Sequence, residues 1–221
     1  MTSATSSFPQ RLTEIDQLTR SDHTFLTEGD RCFFLGDYTA RKGFAYSVTN
    51  NLIINFKKPM SVRGTPQWPH KERAIAEAAG ALANALGPKN LQNLTFVPVP
   101  PSKAKTDPMY DDRVRRMLFA MGTGLDIREL VIQEVSTTAA HESETRLRPE
   151  ELANHYAVDP QLVMPTPTAI AICDDVLTTG CHYRAMVSVL FPHFPDAKFY
   201  GLFLARRVPQ PPEFEVVDID F

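Results

Sequence analysis

The apolar positions of this chain change period several times, and each change predicts an element. Within residues 71–86, Ile75, Ala79, Leu82 and Leu86 recur at helical spacing, and Gly87-Pro88 stops the run. Residues 94–99 predict a strand. After a long loop at 100–109, Val114, Met117, Leu118 and Met121 share one face of a second helix. Residues 130–135 predict a further strand. The stretch 169–173 is apolar without alternation, as a strand buried on both faces of a parallel sheet requires. Met186, Val189 and Leu190 then mark a helix, and 197–204 a returning strand.

Towards the start, 31–58 has apolar centres at 32–35 and 52–56, which predict a strand followed by a helix or a second strand. Leu12, Ile15 and Leu18 suit a short helix docked on the body, or a free arm. Residues 64–69 read as a turn, with Pro66 and Pro69 limiting regular structure around a packed Trp68. The polar stretch 136–149 predicts a mobile hood, and 213–219 an edge strand or a tail over the sheet. Strands alternating with helices predict an α/β fold, a central mostly parallel sheet flanked by helices. The domain is expected to span 30–221, preceded by an amino-terminal arm at 1–29.

With 221 residues and 43% hydrophobic content the chain suits one well-buried domain and is short for two. The formal charge of −3, without a strongly basic half, gives no support to nucleic acid binding by phosphate neutralisation. Cys32, Cys173 and Cys181 are odd in number and widely spaced, which suits free thiols in a reducing cytoplasm. The polar start does not read as a signal peptide, and no run approaches membrane-spanning length. A soluble cytoplasmic protein is expected, with a homodimer left open. His23, His70, His155 and His193 show no metal-ligand spacing, so no metal bound directly by the protein is expected.

The chemistry concentrates after the strand at 169–173, where Asp174 and Asp175 are followed by Val176-Leu177-Thr178-Thr179-Gly180-Cys181-His182 and a helix. Ligands of parallel sheets bind beyond the carboxyl ends of the strands. A Thr-Thr-Gly turn opening a helix offers backbone N–H groups and hydroxyls to an anion, whereas two carboxylates repel an anion and accept from hydroxyls. A phosphorylated ribose meets both demands, with its 5-phosphate in the turn through His182 and its 2- and 3-hydroxyls on the aspartates. A simple acidic helix cap would need one such residue, not the whole string.

This string resembles the phosphoribosyl pyrophosphate motif of the type I phosphoribosyltransferases. Residues 96–103, Phe-Val-Pro-Val-Pro-Pro-Ser-Lys, and 202–207, Leu-Phe-Leu-Ala-Arg-Arg, resemble the ComF-like branch, over about residues 30–208. The resemblance implies a phosphoribosyltransferase that takes 5-phosphoribosyl pyrophosphate with Mg2+ carried by the substrate. It makes Pro100, Pro101, Ser102 and Lys103 the pyrophosphate loop, with Lys103 the chief cation. Asp174 and Asp175 would hold the ribose, and one of them could act as base. Lys105, Arg113, Arg115 and Arg116 are candidates to add charge at the pyrophosphate, and His141 in the hood to touch the acceptor.

The chain departs from the branch in three places. It lacks the paired Cys-x-x-Cys motifs of an amino-terminal zinc ribbon, so no structural zinc is expected. His182 replaces the last hydroxyl of the phosphate turn, where an imidazole N–H could serve. Residues 109–113, Met-Tyr-Asp-Asp-Arg, replace a Gly-Phe-Asn-Gln-like string, so acceptor specificity does not carry over. Two alternatives stay open: a regulatory protein that binds phosphoribosyl pyrophosphate or a nucleotide without turnover, and a partner in DNA handling. Cys181 adds a sharper one, since a helix amino terminus lowers a thiol's pKa and favours a nucleophile.

Overall fold

The computed structural model describes residues 7–133 and 147–209. In chain order the elements are β1 (Thr13–Glu14), α1 (Gln17–Arg20), β2 (Arg31–Thr39), α2 (Val48–Phe56), α3 (Trp68–Asn93), β3 (Thr95–Pro98), α4 (Arg113–Ala120), β4 (Asp126–Ile127), β5 (Val131–Gln133), α5 (Pro149–Ala153), β6 (Tyr156–Val158), β7 (Ala169–Leu177), α6 (Cys181–Leu190) and β8 (Lys198–Val208). Six strands form one sheet in the order β1-β2-β8-β7-β3-β4; β5 and β6 pair separately and antiparallel. Every neighbour pair of the large sheet is parallel except β1 with β2. The α/β class and the mostly parallel sheet flanked by helices are as expected from the sequence.

The central strands are apolar on both faces because both faces are covered. Successive side chains of a strand point to opposite sides. Phe96, Ala171, Cys173, Leu202 and Leu204 accordingly pack with α2, α3 and α4, whereas Val97, Ile170, Ile172 and Phe203 pack with α6, β5 and β6. On α3 the expected stripe of Ile75, Ala79, Leu82 and Leu86 is buried. Truncating Leu82 to Ala would cost about 2–5 kcal/mol. Helix α2 settles the uncertain second element of 31–58; Ser47 caps it by accepting from the Asn50 N–H at 3.0 Å.

Several boundaries differ from the sequence reading. Gly87 (φ 68°) interrupts α3 where expected, but a second helical segment restarts at Pro88 and runs to Asn93. Pro69 does not hold the chain out of a helix; it occupies the first turn, where a missing N–H costs nothing. Trp68 begins that helix half-buried, with the guanidinium groups of Arg63 and Arg116 each 5.9 Å from its ring. The docking stripe near the start is broken: Ile15 is buried, but Leu18 is 87% exposed and Thr13–Glu14 forms an edge strand. Most of the hood, with His141, and the tail at 213–219 lie outside the described residues.

Strands β3 and β7 are parallel neighbours, so their carboxyl ends emerge on the same edge. Pairing between them stops at Pro98 opposite Cys173, with a last bond from the Val99 N–H to the Cys173 carbonyl at 2.9 Å. Pro100 and Pro101 have no N–H to continue the ladder. Strand β7 runs on to Leu177 paired only with β8, which opens a notch beside Asp174 and Asp175.

Candidate functional site

That notch widens into a cavity of about 550 Å³. Its lining brings together Pro100, Pro101, Ser102 and Lys103 from the loop after β3 with Asp174, Asp175, Val176, Thr178 and His182 from β7 and the start of α6. Lys57, Tyr110, Arg113, Glu129 and Gln133 complete much of the rest. Leu177, Thr179, Gly180 and Cys181 do not line it, and Leu177 is core at 1% exposure.

Asp174 and Asp175 are consecutive on a strand and therefore meet different surroundings. Asp175 is buried, and its carboxylate accepts from Arg113 through Nη2 at 2.7 Å and Nε at 3.0 Å, and from Lys57 Nζ at 3.2 Å. Burial raises its pKa, but these two cations outweigh it and hold the carboxylate well below the usual range. Asp174 accepts the Asp175 N–H at 2.7 Å and keeps some exposure to the cavity. Burial, and then the charge of Asp175, push its pKa up. The two acids divide into one ionised and already compensated and one more basic, the second being the better proton acceptor.

The cations on Asp175 are set by a second layer invisible in the sequence. Arg113 also donates to Asp111 at 2.9 Å, and Asp111 in turn accepts from Lys71 at 2.8 Å. Lys71 is fully buried, yet its ammonium uses all three donors, the others going to the carbonyls of Phe56 at 2.9 Å and Lys58 at 2.8 Å. These carbonyls lie at the carboxyl end of α2, where the helix dipole favours a cation. Burial pushes the Lys71 pKa down, and Asp111 opposes it.

The other expected cations are tied as well. Lys105 pairs with Glu129 at 3.1 Å, Arg115 with Glu129 at 3.1 Å, and Arg116 with Glu72, away from the cavity. Lys103 lines the cavity and makes no ion pair among the described residues. Its loop is anchored next door, where Gln133 Nε2 donates to the Ser102 carbonyl at 2.9 Å.

The turn after β7 is held from behind by the amino-terminal arm. His23 Nδ1 donates to the Thr178 carbonyl and the Phe25 N–H to the Thr179 carbonyl at 2.9 Å. Gly180, at φ 82°, takes a conformation that favours glycine, and a Cβ there would lie 2.7 Å from Leu26 Cδ2. Among the described residues the N–H groups of Thr179 and Gly180 have no acceptor. Thr178 is exposed and Thr179 half-buried. His182 lies on the first turn of α6, its Nδ1 3.4 Å from the Tyr156 hydroxyl.

Cys181 bears on the nucleophilic alternative. Its thiol faces the Leu147 carbonyl at 3.2 Å, and burial, with the charges of Glu150 and Glu151, pushes its pKa up to about 11. The helix terminus does not overcome that, and a nucleophilic Cys181 is not supported. Cys32 and Cys173 are free, buried thiols also pushed up, chiefly by burial.

The described residues contain no cluster of three or more His, Cys, Asp or Glu side chains able to hold a metal. The partly exposed Asp174 can lend an oxygen to a cation whose other ligands come from a bound phosphate ester. No described helix is long and apolar enough to cross a membrane. No protein-family model matches the sequence, and no curated protein matches it.

Proposed function

We propose that the cavity binds a ribose 5-phosphate ester in its activated form, 5-phosphoribosyl pyrophosphate with Mg2+, and that the protein is a phosphoribosyltransferase acting on a nucleobase-like acceptor. The observation that carries this reading is the convergence, at the adjoining carboxyl ends of β3 and β7, of Lys103, the paired aspartates, Thr178 and His182 around one cavity. A cation and amides that have no partner among the described residues, together with a carboxylate with accessible oxygen, match the three ends of such a molecule.

In the reaction the bond from the ribose carbon to pyrophosphate breaks with its electron pair leaving on oxygen, positive charge spreads over the ring, and an acceptor nitrogen attacks. Catalysis is then largely positioning and charge compensation. Lys103 would face the charge growing on the leaving group, and Ser102 would orient it. Asp174 would hold a ring hydroxyl and, raised in pKa, accept the proton of the incoming nitrogen. The turn would fix the 5-phosphate. Mg2+, when bound, neutralises charge on the pyrophosphate oxygens. The test is calorimetric titration of the full chain with 5-phosphoribosyl pyrophosphate and Mg2+, followed by assay of pyrophosphate release with a panel of bases. A folded protein without affinity for the donor would end this reading.

A second reading, a regulatory protein that binds phosphoribosyl pyrophosphate or a nucleotide without turnover, is favoured by one observation. Asp175 already has both oxygens committed to Arg113 and Lys57. Saturable binding without pyrophosphate release from any base tested would select it.

A further inference from the structure

The amino-terminal arm is built into the phosphate turn. It is fixed to the body by ion pairs of Asp22 with Arg206 at 3.0 Å and of Asp30 with Arg184 at 2.8 Å, and between them lies the segment that touches Thr178, Thr179 and Gly180. A carbonyl can only accept, so the contact between His23 Nδ1 and the Thr178 oxygen requires the proton on Nδ1. In a trans peptide the carbonyl and the following N–H point in opposite directions. With the Thr178 and Thr179 carbonyls turned to the arm, the N–H groups of Thr179 and Gly180 are turned away from it, and among the described residues both lack an acceptor.

We propose that His23 is a positioning residue for anion binding: with the Phe25 N–H it holds two carbonyls of the turn to the rear, so that the Thr179 and Gly180 amides, between the cavity-lining Thr178 and His182 rather than in the lining itself, stand ready for a 5-phosphate at the cavity's edge. Leu26 completes the support by filling the space that any side chain at position 180 would need. The inference rests on the sugar-phosphate reading of the cavity and assigns the arm to its specificity. His23 acts through the turn and makes no contact with the ligand itself.

Calorimetry on the full chain and on His23→Ala and His23→Asn, with ribose 5-phosphate and separately with magnesium pyrophosphate, tests it. Losing a buried donor behind the turn should weaken ribose 5-phosphate roughly ten-fold in His23→Ala. Pyrophosphate, held by the Lys103 loop, should bind as before. His23→Asn, whose amide nitrogen can take the place of Nδ1, should recover most of the loss. Unchanged ribose 5-phosphate affinity in His23→Ala, or an equal loss for both ligands, overturns the proposal and leaves the sugar-phosphate reading standing. A wild-type protein that binds neither ligand overturns both. Should His23→Ala fail to fold, wild-type amide shifts decide: the Thr179 and Gly180 proton resonances should move downfield on adding ribose 5-phosphate, and their staying in place overturns the proposal.

Discussion

Arg113 directs two donors, Nη2 at 2.7 Å and Nε at 3.0 Å, to a single oxygen of Asp175. The pair is largely withdrawn from water, so removing Arg113 leaves the buried Asp175 with Lys57 alone at 3.2 Å. Arg113→Met is therefore expected to cost about 3–5 kcal/mol of stability, measured by urea unfolding. A loss below about 1 kcal/mol, the range of exposed pairs, would show that the contact is structurally idle.

Acid should loosen the fold through the same carboxylate. Asp175 is held below its ordinary range by Lys57 and Arg113 despite burial, so near and below about pH 4, the usual Asp value, the unfolded chain takes up a proton that the folded one refuses. Its contribution is present above that pH and is lost as the pH falls towards the depressed folded value. Urea midpoints from pH 7 to pH 3 should drop, and Asp175→Asn should drop less steeply. Asp174 has the opposite sign, being raised by burial and by Asp175. Asp174→Asn keeps an acceptor for the Asp175 N–H and should gain about 0.5–2 kcal/mol at pH 7. Lower stability in that variant would contradict the assignment.

Lys71 ties the carboxyl end of α2 to Asp111 through three bonds of 2.8 to 2.9 Å. Lys71→Met fits the aliphatic space but leaves two carbonyls without their donor and Asp111 with Arg113 alone. The expected cost is about 3–5 kcal/mol. Because Asp111 also positions Arg113, the variant should lose donor affinity even where it remains folded. Wild-type stability and wild-type binding together would refute the role.

The central strands and long helices were legible because their apolar periods are strong and both faces of the sheet are covered, whereas the short strands β1, β4 and β6 were not. The acid pair and the turn were legible as a string because adjacent strand and turn positions stay adjacent in space. The unequal fates of Asp174 and Asp175 were not, since they depend on Lys57 and Arg113, remote in sequence and brought in by different helices. A lysine inside a helical pattern reads as solvated, and nothing marks Lys71 as buried on acceptors from residues 56, 58 and 111. The arm was legible only as a docked helix or a free arm, because Leu12, Ile15 and Leu18 suit a helix by spacing, whereas an edge strand and a backbone contact at Phe25 leave no trace in side-chain pattern.

The thiols should be quiet. With Cys181 pushed up to about 11, chiefly by burial, little thiolate exists at pH 8. Alkylation of the folded protein by iodoacetamide at that pH should be slow beside a free thiol and become fast only in urea. Cys181→Ser should keep ribose 5-phosphate binding. Rapid labelling of the native protein at Cys181, with loss of any transfer activity, would restore the nucleophile.

The two ends of the cavity should separate by substitution. Lys103 lies on the loop after β3 and Asp174 within β7, three residues before its end, so a ligand spanning the cavity needs both while its fragments need one each. Lys103→Ala removes a charge-assisted contact worth about 1.5–3 kcal/mol, and should weaken magnesium pyrophosphate roughly ten-fold or more while leaving ribose 5-phosphate within two-fold. Asp174→Asn should do the reverse, because a carboxylate accepts from ring hydroxyls where an amide accepts less well. Calorimetry with the two fragments and with 5-phosphoribosyl pyrophosphate reads all three affinities. Parallel losses on both fragments in either variant would mean one undivided anion site, and the orientation proposed for the ribose ester would have to be abandoned.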